Sequence, residues 1–228
     1  MNQAGPPLKS RRLWAKREDK CLAILERALL LLLEESNPPE TEVELNRRLY
    51  WYLLVATREL YPKDDVGPIS ECNNQPDPDD QSHVTREQKR PDFQWNYFDH
   101  YEPDPLRSSR QFVVECKRLG KSNRADWVLN LNYVNHGIER FRDARWAYAQ
   151  RFPKGAMVGY CQRMEAKQVL NEVNGEACKK SLPDLVSIGS WKSKDVNHLR
   201  HTFERPFDIS PFELRHLWID LRQSGDTG

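Results

Sequence analysis

The sequence reads as an α/β fold, a central sheet with helices on its faces. Two segments with the apolar spacing of helices precede residue 62. Beyond residue 90 the pattern changes to short runs rich in aromatic and β-branched residues, around 92–98, 111–117 and 155–161. A long helical stretch divides the second run from the third, and that order of elements packs helices against a sheet. The 228 residues suffice for one such domain with a full core, and seven tryptophans with eight tyrosines argue for a folded globule.

Residues 1–12, with Gly5-Pro6-Pro7 and Lys9-Ser10-Arg11-Arg12, read as a loose tail, and 13–228 as one domain whose first part, 13–40, is a helical extension. The first helix is expected over about 16–35. It is leucine-rich on nearly all sides, which suits either deep burial or a subunit contact. Asn37-Pro38-Pro39 ends it. Thr41-Glu42-Val43-Glu44 fits a capping box with Thr41 as N-cap, and Leu45, Leu49, Leu53, Ala56 and Leu60 continue an apolar stripe to Pro62. Residues 61–90, rich in Pro, Asp and Asn, read as a long loop. Strands are expected at 92–98 and 111–117, then a helix over about 124–151, a strand at 155–161, a helix at 166–173, and strand material at 185–191 and 213–221.

Bulk properties exclude several classes. Lys and Arg number 35 against 34 acids, a formal charge of +1, so a nucleic-acid partner requires basic residues segregated onto one face. The five cysteines are scattered and form no Cys-x-x-Cys, which points to reduced thiols in a cytoplasmic protein. The start of the chain lacks the apolar core of a secretory signal, and the greasiest stretch, Ala28 to Leu33, falls far short of the ~20 residues of a membrane span. No membrane association is therefore expected. Neither a Gly-rich phosphate loop nor a Gly-x-Ser-x-Gly elbow is present. His198 and His201 lack further ligands for zinc.

Chemistry concentrates on the second strand. Side chains alternate along a strand, so Glu115 and Lys117 share one face and Cys116 takes the other. If the first two strands form a hairpin, Asp92 sits beside Glu115. Two carboxylates with the Cys116 backbone carbonyl and waters suit Mg²⁺ or Mn²⁺. Lys117 beside such an ion would orient or activate a water and neutralise a phosphorane-like transition state. Lys117, Arg118, Lys121 and Arg124 form a basic run next to it, fit for a phosphate backbone or simply a solvated loop. On the long helix, Asn132, His136 and Arg140 recur every four residues, with Tyr133 on a nearby face; they either line a phosphate channel or make a solvated polar face.

Pro91-Asp92 followed by Glu115-Cys116-Lys117 resembles the PD-(D/E)XK nuclease superfamily, the restriction-endonuclease-like fold. Phe112-Val113-Val114 supplies the apolar strand that the family places before its Glu-x-Lys. Arg90-Pro91-Asp92-Phe93, Glu115-Cys116-Lys117-Arg118-Leu119-Gly120, 133–141 and Met157-Val158-Gly159-Tyr160 look like phrases of bacterial restriction-like proteins. The resemblance spans about 41–162. It implies a central mixed sheet flanked by helices, a Mg²⁺- or Mn²⁺-dependent nuclease acting on DNA, and a setting in restriction or anti-phage defence, as a homodimer or with a partner protein. Asp92 and Glu115 would bind the metal and Lys117 assist the water. The family also implies an acid on the helix before the sheet. At about 100° per residue Glu42 lies within roughly 20° of Leu49 on the apolar stripe, whereas Glu44 lies opposite and serves the cap; Glu42 is the preferred residue. A catalytically silent module of the same fold, binding nucleic acid or a protein partner, is the alternative.

Overall fold

The computed structural model describes residues 8–76, 79–122, 128–207 and 209–222, with side chains from residue 12 onward. Two long helices come first, α1 (Leu8–Leu33) and α2 (Glu42–Leu60). A two-residue strand β1 (Ile69–Ser70), a short helix α3 (His83–Glu87) and strands β2 (Phe93–Phe98) and β3 (Ser109–Gly120) follow. Then come α4 (Leu129–Tyr133), a π-helical turn (Val134–Ile138) and α5 (Glu139–Arg142), continuous with one another. Strand β4 (Lys154–Gln162), helix α6 (Ala166–Lys179) and strands β5 (Val186–Ile188), β6 (Asn197–Phe203) and β7 (Phe212–Asp220) are the remaining elements among the described residues.

The seven strands form one mixed sheet in the order β1-β2-β3-β4-β7-β6-β5. β3, β4 and β7 run parallel in the centre, and the pairs outside them are antiparallel. Both faces of the centre are covered, and that is why β4 reads as an almost unbroken apolar run. The α1–α2 pair covers one face: Cys21 reaches the Tyr97 hydroxyl, and Tyr160 donates to Asn46. The π-helical turn lies against the other. A Cβ on Gly137 would meet the Met157 methyl at 2.3 Å and the Lys117 stem at 3.6 Å, so a side chain there would have to push the Met157 tip aside. Gly120 ends β3 at φ +98, where a Cβ would lie 2.0 Å from the Gln162 carbonyl; its own N–H donates to Asn130.

The structure departs from the sequence expectations in five places. Helix α1 starts at Leu8, not near residue 16, because nothing after Pro7 interrupts it and Trp14 wedges edge-on against Tyr97 and Phe152. The expected tail at 1–12 thus overlaps the helix, and α1 buries Cys21, Ile24, Leu25, Ala28, Leu29 and Leu32 in the core. Thr41 caps α2 through the Glu44 N–H, but the Glu44 carboxylate turns to Arg47 rather than closing the box, at 2.5 Å. The expected loop at 61–90 contains β1 and α3. Of the expected helix at 124–151, residues 124–127 lie outside the described residues and 129–142 are helical; it stops there because Asp143 takes the Arg145 N–H and turns the chain. Strand β6 was not expected, since His201 counts as polar by type but is buried. Among the described residues, no helix is long and apolar enough to cross a membrane.

The histidines of β6 and β7 give the fold a pH dependence. His201 and His216 lie with ring centroids 5.8 Å apart, and His216 shares a hydrogen bond with the Tyr133 hydroxyl, 2.7 Å. His198, three residues earlier on a two-residue period, faces the other way toward Glu26. Burial pulls His201 down to about 4, against the Pro183 carbonyl and Asp184, and burial with His201 pulls His216 well below the usual range. The unfolded chain takes up these protons near pH ~6.5 while the folded chain refuses them. Stability is therefore complete above that pH and lost on acidification. His201 alone accounts for about 3 kcal/mol by pH ~4. His201→Phe should flatten the fall of melting temperature between pH 7 and 4.5; an unchanged slope contradicts the assignment.

Candidate active site

The β2–β3 register pairs Phe93 with Val114, which sets Asp92 across from Glu115. Asp92 accepts from the Cys116 N–H at 2.7 Å through one oxygen and from the Asn46 amide at 3.0 Å through the other. Asn46 in turn accepts from Tyr160 at 3.0 Å, so a chain from β4 through α2 fixes the Asp92 carboxylate. Glu115 is fully buried. Lys117 emerges on the same face, and its ammonium stands 2.9 Å from Glu115, 2.8 Å from Glu42, 2.7 Å from the Cys116 carbonyl and 3.9 Å from Asp92. Glu42 reaches it from the first turn of α2, and its second oxygen accepts from the Arg118 N–H at 3.3 Å. The i, i+4 pair Glu42 and Asn46 thus holds both ends of the site from one helix.

The electrostatics follow from this crowding. Burial and then Glu115 push the Asp92 carboxyl well above its usual range, against Lys117 and the Cys116 N–H. Burial alone would lower the Lys117 ammonium, but Glu115, Asp92 and Glu42 outweigh it and push it upward. Lys117 is therefore a firm cation, suited to donate hydrogen bonds and not to abstract a proton. Arg140 also binds Glu115, and its guanidinium stacks 4.4 Å from the Trp146 ring. Lys89 lies over that ring at 4.4 Å, and Asn74 donates to the Trp146 carbonyl at 2.7 Å, which ties the 61–90 segment to the site.

Asp92, Glu115, Lys117, Glu42 and Arg140 come together. Arg118 lies at the rim and its side chain donates to the Glu40 carbonyl. Lys121 is exposed beyond it, and Arg124 falls outside the described residues. Asn132 is half-buried and His136 exposed; neither has a hydrogen bond to the carboxylates among the described residues. The π-helical turn explains their separation from Arg140, because its wider winding breaks the i, i+4 row. Asn46 and Tyr160 were missed: neither is unusual in sequence, although Asn46 stands one turn from Glu42.

A cavity of about 290 Å³ opens beside Asp92, lined by Glu42, Val43, Asn46, Arg47, Tyr50, Ser70, Glu71 and Phe93. No group of three or more His, Cys, Asp or Glu side chains is arranged to hold a metal among the described residues. The available set is two carboxylates and a carbonyl. That set does not fit zinc or an all-protein calcium cage, but it fits Mg²⁺ or Mn²⁺, which keep waters and take further oxygens from a phosphate. One buried atom supports the fit: Glu115 Oε2 has no hydrogen-bond partner among the described residues.

Comparison with protein-family models, curated proteins and solved structures returns no match to this chain.

Proposed function

We propose that this chain is a divalent-metal-dependent nuclease with a restriction-endonuclease-like core, hydrolysing phosphodiester bonds in DNA. The observation that carries the reading is the convergence of Glu42, Asp92 and Glu115 on the Lys117 ammonium at the end of a buried strand. A core strand gains nothing in stability from such a cluster, since apolar residues of similar volume serve as well or better. The acidic mouth of the cavity also repels a phosphodiester unless a cation bridges the two. Restriction or anti-phage defence as the setting, and DNA as the substrate, rest on the resemblance of the motif.

What Mg²⁺ or Mn²⁺ supplies when bound is charge neutralisation at the phosphate and a more acidic water. Asp92 and Glu115, with the Cys116 carbonyl, would hold it. Asn46 orients Asp92. Arg140 offsets the buried charge of Glu115. Lys117, kept protonated by its three carboxylates, donates to the oxygens that gain charge as the phosphorus becomes five-coordinate. Glu42 fixes the direction of that donor.

The test is nicking of supercoiled plasmid with Mg²⁺ or Mn²⁺ by wild type and Asp92→Ala. Wild-type nicking should stop on chelation and drop by at least about 10²-fold in the variant. Equal activity in both sinks the assignment. One observation favours a silent nucleic-acid- or protein-binding module instead: Lys117 and Arg140 already neutralise Glu115. Calorimetric titration decides, because such a module takes up no Mn²⁺.

A further inference from the structure

Three buried side chains at or beside the carboxylates keep polar atoms without a partner among the described residues. Gln94 is fully buried on β2, and neither its amide nitrogen nor its oxygen finds a hydrogen bond among the described residues. It pairs with Val113 and therefore lies on the face of Asp92 and Glu115, diagonal to Glu115. Tyr148 is fully buried, and its hydroxyl is likewise unpartnered. Its N–H donates to the Arg140 carbonyl at 3.2 Å, and its ring packs 5.7 Å from Trp146, the ring that carries the Arg140 guanidinium bound to Glu115. The third is Glu115 Oε2. Buried polar atoms are nearly always bonded to protein or to ordered water, and each one left bare costs about 1–3 kcal/mol. Gln94 and Tyr148 thus bring unpartnered polar atoms to the neighbourhood of the bare Glu115 oxygen.

The occupant is defined by what the groups offer. An apolar ligand would leave all three bare. A second anion would be repelled by Glu115 and Asp92. A carboxylate oxygen, an amide oxygen and a hydroxyl all accept hydrogen bonds, and the waters around a divalent cation are strong donors. We infer that Gln94 and Tyr148 are positioning residues that hold the water shell of a hydrated Mg²⁺ or Mn²⁺ ion against Glu115. The inference rests on the metal-dependent reading above and extends it to two residues outside the Pro-Asp … Glu-x-Lys motif. The backbone is built to place Tyr148: Ala147 and Ala149 on either side of it are left-handed, at φ 48 and 54. Its ring is wedged edge-on against Phe141 and Trp146.

The test is calorimetric titration of the full chain with Mn²⁺, for wild type, Gln94→Met, Tyr148→Phe and Asp92→Ala, with melting of each metal-free protein. Gln94→Met and Tyr148→Phe should each bind Mn²⁺ about tenfold more weakly, the scale of losing a partner one shell out from a metal. Their metal-free melting temperatures should equal or exceed the wild-type value, because the substitutions remove atoms that bond nothing in the fold. Wild-type affinity in both variants overturns the inference, whether or not melting falls. If Asp92→Ala has lost binding in that event, the metal reading still stands. No binding of Mn²⁺ by the wild type overturns both.

Discussion

Lys117→Met is expected to cleave plasmid roughly 10³-fold more slowly than the wild type and to unfold about 3 kcal/mol more easily. The two effects have separate origins. On the nuclease reading proposed above, the rate falls because the ammonium, 2.7–2.9 Å from the Cys116 carbonyl, Glu42 and Glu115, would be the donor for charge that develops on the phosphate. Stability falls because Glu115 is buried and loses one of its two cations. Arg140 remains on Glu115, which keeps the loss near the low end for a broken buried pair.

Two companions separate the causes. Lys117→Arg keeps the charge and should recover most of the stability, but its planar fork cannot replace a point donor, so the rate stays low. Adding Glu115→Gln to Lys117→Met removes the carboxylate that was left with one cation instead of two. It should recover stability with no recovery of rate, a coupling visible in a double-mutant cycle. Urea denaturation and nicking rates, measured on the same preparations, check both. Wild-type cleavage by Lys117→Met removes Lys117 from the mechanism.

The sequence made the middle of this site legible through two periodicities. Strand alternation put Glu115 and Lys117 on one face, and the helical angle put Glu42 rather than Glu44 on the inner side of α2; the ammonium of Lys117 and the carboxylate of Glu42 do meet, at 2.8 Å. Both inferences are local, needing only the geometry of one element. The rest depends on how elements pack. Arg140 reaches Glu115 from beyond a π-helical turn, whose wider winding the regular spacing of Asn132, His136 and Arg140 does not reveal. Gln94 reads as an ordinary polar strand residue until the face it shares with Asp92 is covered. His201 is a polar type in the sequence, and its burial shows only once β6 has joined the sheet beside β7. The expected helix at 124–151 stops early for a local reason: the Asp143 side chain captures the Arg145 N–H and ends it after Arg142.

The largest purely structural effect is expected at Arg205, a residue without a place in the chemistry. Arg205→Met should destabilise the protein by about 4 kcal/mol in urea denaturation. Its buried guanidinium donates to the Tyr148 carbonyl at 3.2 Å, Ala149 at 3.3 Å, Phe152 at 3.0 Å and Ile209 at 2.8 Å, and lies 4.2 Å from the Phe212 ring. Ala147, Ala149 and Arg151 are all left-handed, so this stretch forms neither helix nor strand and turns its carbonyls inward. Each such residue is held at a conformation that costs about 1 kcal/mol or more. A methionine has the stem but no donors, and leaves the carbonyls bare. Arg205→Lys reaches fewer of them and should fall between the two. The consequence extends to the site, because the same stretch carries Trp146 against Arg140 and bonds the Tyr148 N–H to the carbonyl of Arg140, the residue that holds Glu115. Hydrogen exchange should therefore show 145–152 opening first in Arg205→Lys, with Mn²⁺ affinity reduced in a protein that is still folded. A loss below about 1 kcal/mol in Arg205→Met means that other contacts hold the stretch. The alternating left-handed backbone would then be stable in its own right, and the position of Tyr148 independent of the clamp.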